Sequence, residues 1–173
     1  SYAALDLLCY AKSQGWRTIL GQIDPGVVEE QLVVKQYATH PTYKSSVEIA
    51  PAKYWTNWQQ ECSLADIIIV NSLWSSQALQ KIGVPKNKID VIPLVYQAPQ
   101  EACSFTRTYP QYFSKQRPLR VLFLGQIILR KGIVALLEAA EILRNEPIEF
   151  WLVGYQGIHL PQTYPKVKLI GAV

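Results

Sequence analysis

The chain has 173 residues, enough for one domain or two small half-domains. Apolar residues make up 49%, which excludes a disordered chain, and charged residues only 17%, so part of the surface is expected to be covered. The net charge is +4, and no window approaches the ~18 uncharged apolar residues of a membrane span.

In chain order, Leu5, Leu8, Cys9 and Lys12 recur at helical spacing and Gly15 follows, predicting a helix over 2–14. Arg17 to Gly21 is short and apolar, hence a strand, and Asp24-Pro25-Gly26 is a turn. Helices are predicted over 27–37 and 52–64, the latter carrying Tyr54, Trp55 and Trp58. That aromatic trio suits either a sugar-stacking groove or a helix face packed into the core, the second being the simpler account. The apolar run from Asp66 to Val70 predicts a parallel strand covered on both faces. Asn71 and Ser72 follow it, where clefts form in parallel sheets; capping of the helix over 74–82 also accounts for them. Ile89 to Ile92 is a further strand. Residues 94–118, with Pro99, Pro110 and Pro118 and no clear periodicity, read as a linker between units at 1–93 and 119–173. Beyond it, 121–124 reads as a buried strand, 132–144 as a helix, and 148–153 and 167–170 as strands. Strands alternating with helices predict an α/β chain of two partial Rossmann-like βαβ units with parallel sheets.

Charge is unevenly placed. Residues 1–93 hold eight basic and eight acidic side chains, whereas 94–173 hold nine against five, the whole net charge of +4. No acid lies between Glu101 and Glu138, while Arg107, Lys115, Arg117, Arg120, Arg130 and Lys131 do. A solvated linker with scattered cations is one reading; a positive field for a phosphorylated ligand is the sharper one. Nucleic acid is not expected, since the basic residues do not interleave with stacking aromatics on one module. Cys9, Cys62 and Cys103 form no CxxC pair and no disulfide framework, pointing to a reducing compartment and so to the cytoplasm. The chain has no Met, opens within a predicted helix and stops on a strand, so it reads as a fragment whose partners include further parts of its own chain.

The strongest local feature is Gly125-Gln126-Ile127-Ile128-Leu129-Arg130-Lys131-Gly132 between a strand and a helix. A glycine bend, a helix N-terminus and a lysine together suit a diphosphate. The segment is neither a Walker A loop nor a GxGxxG turn. An ordinary strand–loop–helix with a glycine turn is the plain alternative.

The ordered series Glu61-Cys62-Ser63-Leu64-Ala65-Asp66-Ile67-Ile68-Ile69-Val70-Asn71-Ser72, Gly83-Val84-Pro85, Lys88-Ile89-Asp90-Val91-Ile92-Pro93, then Leu122-Phe123-Leu124-Gly125, Lys131-Gly132-Ile133 and Glu149-Phe150-Trp151-Leu152-Val153-Gly154 resembles a family-4 glycosyltransferase. The likeness covers most of residues 50–173. It implies the GT-B architecture of two Rossmann-like domains. It also implies a retaining, metal-independent transfer from a nucleotide-sugar donor, UDP or GDP, to a sugar, polysaccharide or lipid-linked acceptor. No cofactor or metal is implied, and lipid-linked acceptors imply peripheral contact with the cytoplasmic face of a membrane. The resemblance makes Gly125, Gln126, Arg130 and Lys131 the donor diphosphate site and sets Gly154 and Val173 near the nucleoside. Asn71 and Ser72 remain cleft candidates. The family's usual arginine after the glycine is Gln126 here, leaving Arg130 to substitute, and its usual Asn-Gly after Pro93 is Leu94-Val95. Its paired glutamates and acceptor-side histidine are expected outside residues 1–173, since neither His40 nor His159 fits. A phosphorylase or epimerase of the same fold, or a non-catalytic phosphate-binding module, are the alternatives.

Overall fold

The structure, a computed structural model, describes residues 4–43 and 49–172. It is α/β, with two three-stranded parallel sheets. The chain divides into two compact units, one drawn from the ranges 1–32 and 48–98, the other from 33–47 and 99–173.

The first unit holds α1 (Leu5–Ser13), β1 (Ile19–Gln22), the start of α2 (Val27–Thr39), α3 (Ala52–Leu64), β2 (Ile67–Val70), α4 (Leu73–Lys81) and β3 (Ile89–Val91). Strand order is β1-β2-β3, with Leu20 beside Ile68 and Ile68 beside Ile89. Strand alternation aims Leu20, Ile68, Val70 and Ile89 at one side. There they meet Trp58, Cys62 and Leu79 in a single core. Trp58 and Cys62 share a face of α3 because they are four residues apart. Each such buried side chain contributes about 1.5–3 kcal/mol. On the other face Ile19 is 62% exposed, and Ile67 and Ile69 are half-buried. The expectation of a strand covered on both faces is therefore met only in part. An unbroken apolar run shows that both faces suit burial, not that both are covered.

The second unit holds the end of α2, α5 (Gln100–Ser104), β4 (Leu119–Leu124), α6 (Ile133–Ile142), β5 (Ile148–Val153) and β6 (Val167–Gly171). The segment without periodicity thus contains one short helix, α5. Strand order is β4-β5-β6, in continuous register from Leu119 beside Ile148 to Leu124 beside Val153. Ile133, Leu137 and Ala140 are buried along α6 at helical spacing. Ile133 and Leu137 join Ile127, Leu129, Leu152 and Ile158 in the core. The expectation of a buried strand at 121–124 is corrected: Leu122 is 63% exposed and Leu124 69%. Phe123 packs on the core, whereas Leu122 and Leu124 point to the opposite face, beside Arg120 in the alternation. No described helix is long and apolar enough to cross a membrane.

Candidate functional site

The carboxyl edge of the second sheet is built from backbone. β4 is followed by Gly125 (φ +148°), β5 by Gly154 (φ +141°), and β6 ends on Gly171 (φ +88°). The three are linked across the strands, for Gly125 N–H donates to the Val153 carbonyl at 2.9 Å and Gly154 N–H to the Gly171 carbonyl at 2.8 Å. A Cβ on Gly154 would lie 2.0 Å from the Gly125 carbonyl oxygen, so only glycine allows that approach. A Cβ on Gly125 would meet nothing within 4 Å, so this edge is open on that side.

The loop after Gly125 is pinned at two points. Ile127 N–H donates to the Tyr155 carbonyl at 2.9 Å and Gly157 N–H to the Ile127 carbonyl at 3.1 Å. The Ile127 and Leu129 side chains are buried in the core. Gln126, Arg130 and Lys131 are exposed beside these anchors. Leu129–Lys131 form a 3₁₀ turn, and Gly132 (φ +75°) then opens α6. No side chain caps this helix. Its first-turn amides have no acceptor within the helix and present partial positive charge. The Lys131 ammonium, one residue upstream of Gly132, has no hydrogen bond or ion pair among the described residues. Gly125 and Gly154 therefore share one sheet edge, and Gln126, Arg130 and Lys131 follow in the loop that leaves it. Val173 lies outside the described residues. Gly171, which the sequence reading did not single out as a site residue, completes the row; its signal was its place at the end of a third strand.

Asn71 and Ser72 follow β2 in the first unit. Ser72 Oγ accepts the Ser75 N–H at 3.1 Å as the N-cap of α4 and shares a 3.0 Å contact with Ser75 Oγ, which also donates to Asn71 Oδ1 at 3.5 Å. Their oxygens are thus engaged within the first turn, as a cap requires.

The same edge carries a buried network. Trp58 Nε1 donates to Gln22 Oε1 at 3.0 Å, Gln22 Nε2 donates to the carbonyl and carboxylate of Asp24, and Gly26 N–H donates to Asp24 Oδ1 at 2.8 Å. Gln22 and Trp58 are 2% and 1% exposed. Trp58 therefore packs inward with Trp55 half-buried against the same core, while Tyr54, also half-buried, meets Trp55 edge to face; ring centroids along the trio are 4.9 and 5.4 Å apart. Glu61 is also buried; its Oε1 accepts the Ala4 N–H at the start of α1, and its Oε2 has no hydrogen-bond partner among the described residues. Its three-residue spacing from Trp58 was the available signal. Burial pushes the Cys62 thiol up to about 11, which suits a core residue and not a nucleophile.

Among the described residues no group of three His, Cys, Asp or Glu side chains gathers as a metal site. No protein-family model matches the chain, and no curated protein or solved structure is significantly similar to it.

Proposed function

We propose that the glycine edge of the second sheet binds the diphosphate of a nucleotide-sugar, UDP or GDP, in a metal-independent retaining glycosyltransferase of GT-B type. The acceptor is a carbohydrate or a lipid-linked sugar. The observation that carries the reading is the row of three positive-φ glycines on adjacent strands, open at Gly125 and followed by a helix without a side-chain cap and a lysine without a partner among the described residues. Bare backbone lets a bulky anion approach closely. The α6 amides and the Lys131 ammonium then stabilise charge on the departing diphosphate.

The magnitudes predict weak binding. A helix N-terminus contributes about 0.3–1 kcal/mol to an exposed anion and a charged hydrogen bond about 1.5–3 kcal/mol. Their sum, about 2–4 kcal/mol, corresponds to a Kd of roughly 1–50 mM. Calorimetric titration of the chain with UDP and GDP tests this, with Lys131→Ala expected to weaken binding roughly ten- to a hundredfold, the value of one such bond. An affinity unchanged by Lys131→Ala removes the site. A second reading, a phosphate-binding module without transfer, is favoured by the uncharged Gln126 at the position next to Gly125. Donor hydrolysis assayed with UDP- and GDP-sugars on the full-length parent, where the glutamate pair is expected, separates the two, since only the transferase reading expects release of free sugar.

A further inference from the structure

We propose a second anion site at the other end of β4: an open cleft of about 400 Å³ that takes a phosphorylated small molecule through Arg107, Arg117 and Arg120. The cleft lies within the second unit, where β4 begins, and it does not depend on the reading given to the glycine edge. Six residues of strand separate the two places, roughly 20 Å at about 3.3 Å per residue. The acid-free stretch of the sequence is thus divided by β4, with Arg107, Arg117 and Arg120 at its amino end and Arg130 and Lys131 beyond its carboxyl end.

Local structure holds each arginine for its own reason. Residues 114 and 117 exchange backbone hydrogen bonds of 3.1 Å, and Ser114 Oγ accepts the Arg117 N–H at 3.2 Å, so Arg117 ends a closed turn. The Arg107 guanidinium lies over the Tyr109 ring at 5.6 Å. Arg120 sits opposite Glu149 in the register, 3.9 Å from its carboxylate, and over the Trp151 ring at 4.8 Å. Glu149 is shared, because it also accepts from Lys168 at 3.0 Å and from the Trp151 indole at 3.1 Å.

No carboxylate lines the cleft. Among the described residues neither Arg107 nor Arg117 has an acidic partner. Arg107 and Arg117 are like charges on one concavity, and an entering anion relieves their repulsion. Arginine's planar fork, in preference to a lysine's point charge, matches phosphate oxygens two at a time. Tyr109 and Phe113 add apolar wall, and the volume exceeds what a bare phosphate fills, so the fitting ligand is a phosphate ester with a compact body.

Nitrogen-15 NMR of the arginine Nε–H groups, with inorganic phosphate and AMP as probes at constant ionic strength, tests the site. Saturable shifts at Arg107 and Arg117 are expected, and the affinity followed at the backbone amides of Thr108 and Leu119, which line the cleft, should fall about tenfold or more in Arg117→Ala and further in the Arg107→Ala/Arg117→Ala pair through loss of charged hydrogen bonds. Tighter binding of AMP than of inorganic phosphate supports the ester body, and equal or weaker binding overturns it. Arg117→Lys, which keeps the charge and loses the fork, should fall between wild type and Arg117→Ala. The substituted side chains are exposed, and amide spectra verify that the fold persists. Shifts that sodium chloride reproduces, or affinity unchanged in the double variant, overturn the site. So does loss of the signal in Lys131→Ala with retention in the arginine variants, which would assign it to the glycine edge.

Discussion

The two sheets have the same size, the same parallel topology and opposite edges. In the first sheet, the carboxyl edge is closed by side chains that bond one another, from Gln22, Trp58 and Asp24 to Asn71, Ser72 and Ser75. In the second, three glycines leave that edge as backbone, open at Gly125. The amino edges differ in the same sense. Asp66 in the first sheet is paired with Lys12 and accepts the Thr18 N–H at 2.7 Å. In the second, among the described residues, Arg120 alone of the cleft's arginines lies near a carboxylate, one that Lys168 shares. Identical topology therefore does not determine where a ligand can sit. What decides is whether the groups at a strand end are already satisfied by the chain itself, because a satisfied polar group gains little from a new partner.

Three measurements sharpen or break the contrast, beginning with the largest effect. Gly154→Ala should destabilise the fold by roughly 2–6 kcal/mol, combining about 1–3 for the positive φ with about 1–3 for overpacking. Its Cβ meets the Gly125 carbonyl at 2.0 Å, and backbone cannot swing aside. Gly125→Ala meets nothing and should cost only the strain, about 1–3 kcal/mol. Urea unfolding of both variants checks the order, and equal losses would show that the glycine row is not built by close approach.

Next, Gly26→Ala in the first unit places a Cβ 2.4 Å from the Trp58 ring. A ring can tilt where a backbone cannot, so the expected loss is smaller than for Gly154→Ala, about 2–4 kcal/mol. The Trp58 Nε1–H resonance should move as its bond to Gln22 is disturbed. An unmoved resonance would mean the closed edge is looser than its hydrogen bonds indicate.

The smallest effect concerns acid. Lys12 first, and then the Thr18 N–H, hold the Asp66 carboxyl down to about 2. An unfolded aspartate titrates near ~3.9. A folded value below the unfolded one stabilises fully above about pH 4, and that contribution is lost as pH falls through about 2. The stability gap between wild type and Asp66→Asn should therefore shrink between pH 5 and pH 2.5. A constant gap would remove the ion pair from the account.

The sites differed in how far they could be read in advance. Ser72 as a cap, the inward aromatic helix and the turn at Asp66 were legible because each depends on neighbours within a few residues. Gly125 and Gly154 were legible as strand-end positions, and the structure sets them side by side, with Lys131 in the turn before α6. Gly171, Gln22 and Glu61 were not, for their significance lies in what they face across the sheet or between helices. The arginine cleft was half legible: the acid-free stretch is plain in the sequence, but its division by β4 is not.

Residue order alone determined the alternation of strands and helices, the turn glycines and the basic bias of the second half, since periodicity and backbone preference are local properties. Tertiary structure decided which face of each strand is covered, why residue 154 must lack a Cβ, and that Arg107, Arg117 and Arg120 line one cleft. Those are distances between segments far apart in the chain, and strand pairing and helix packing alone set them.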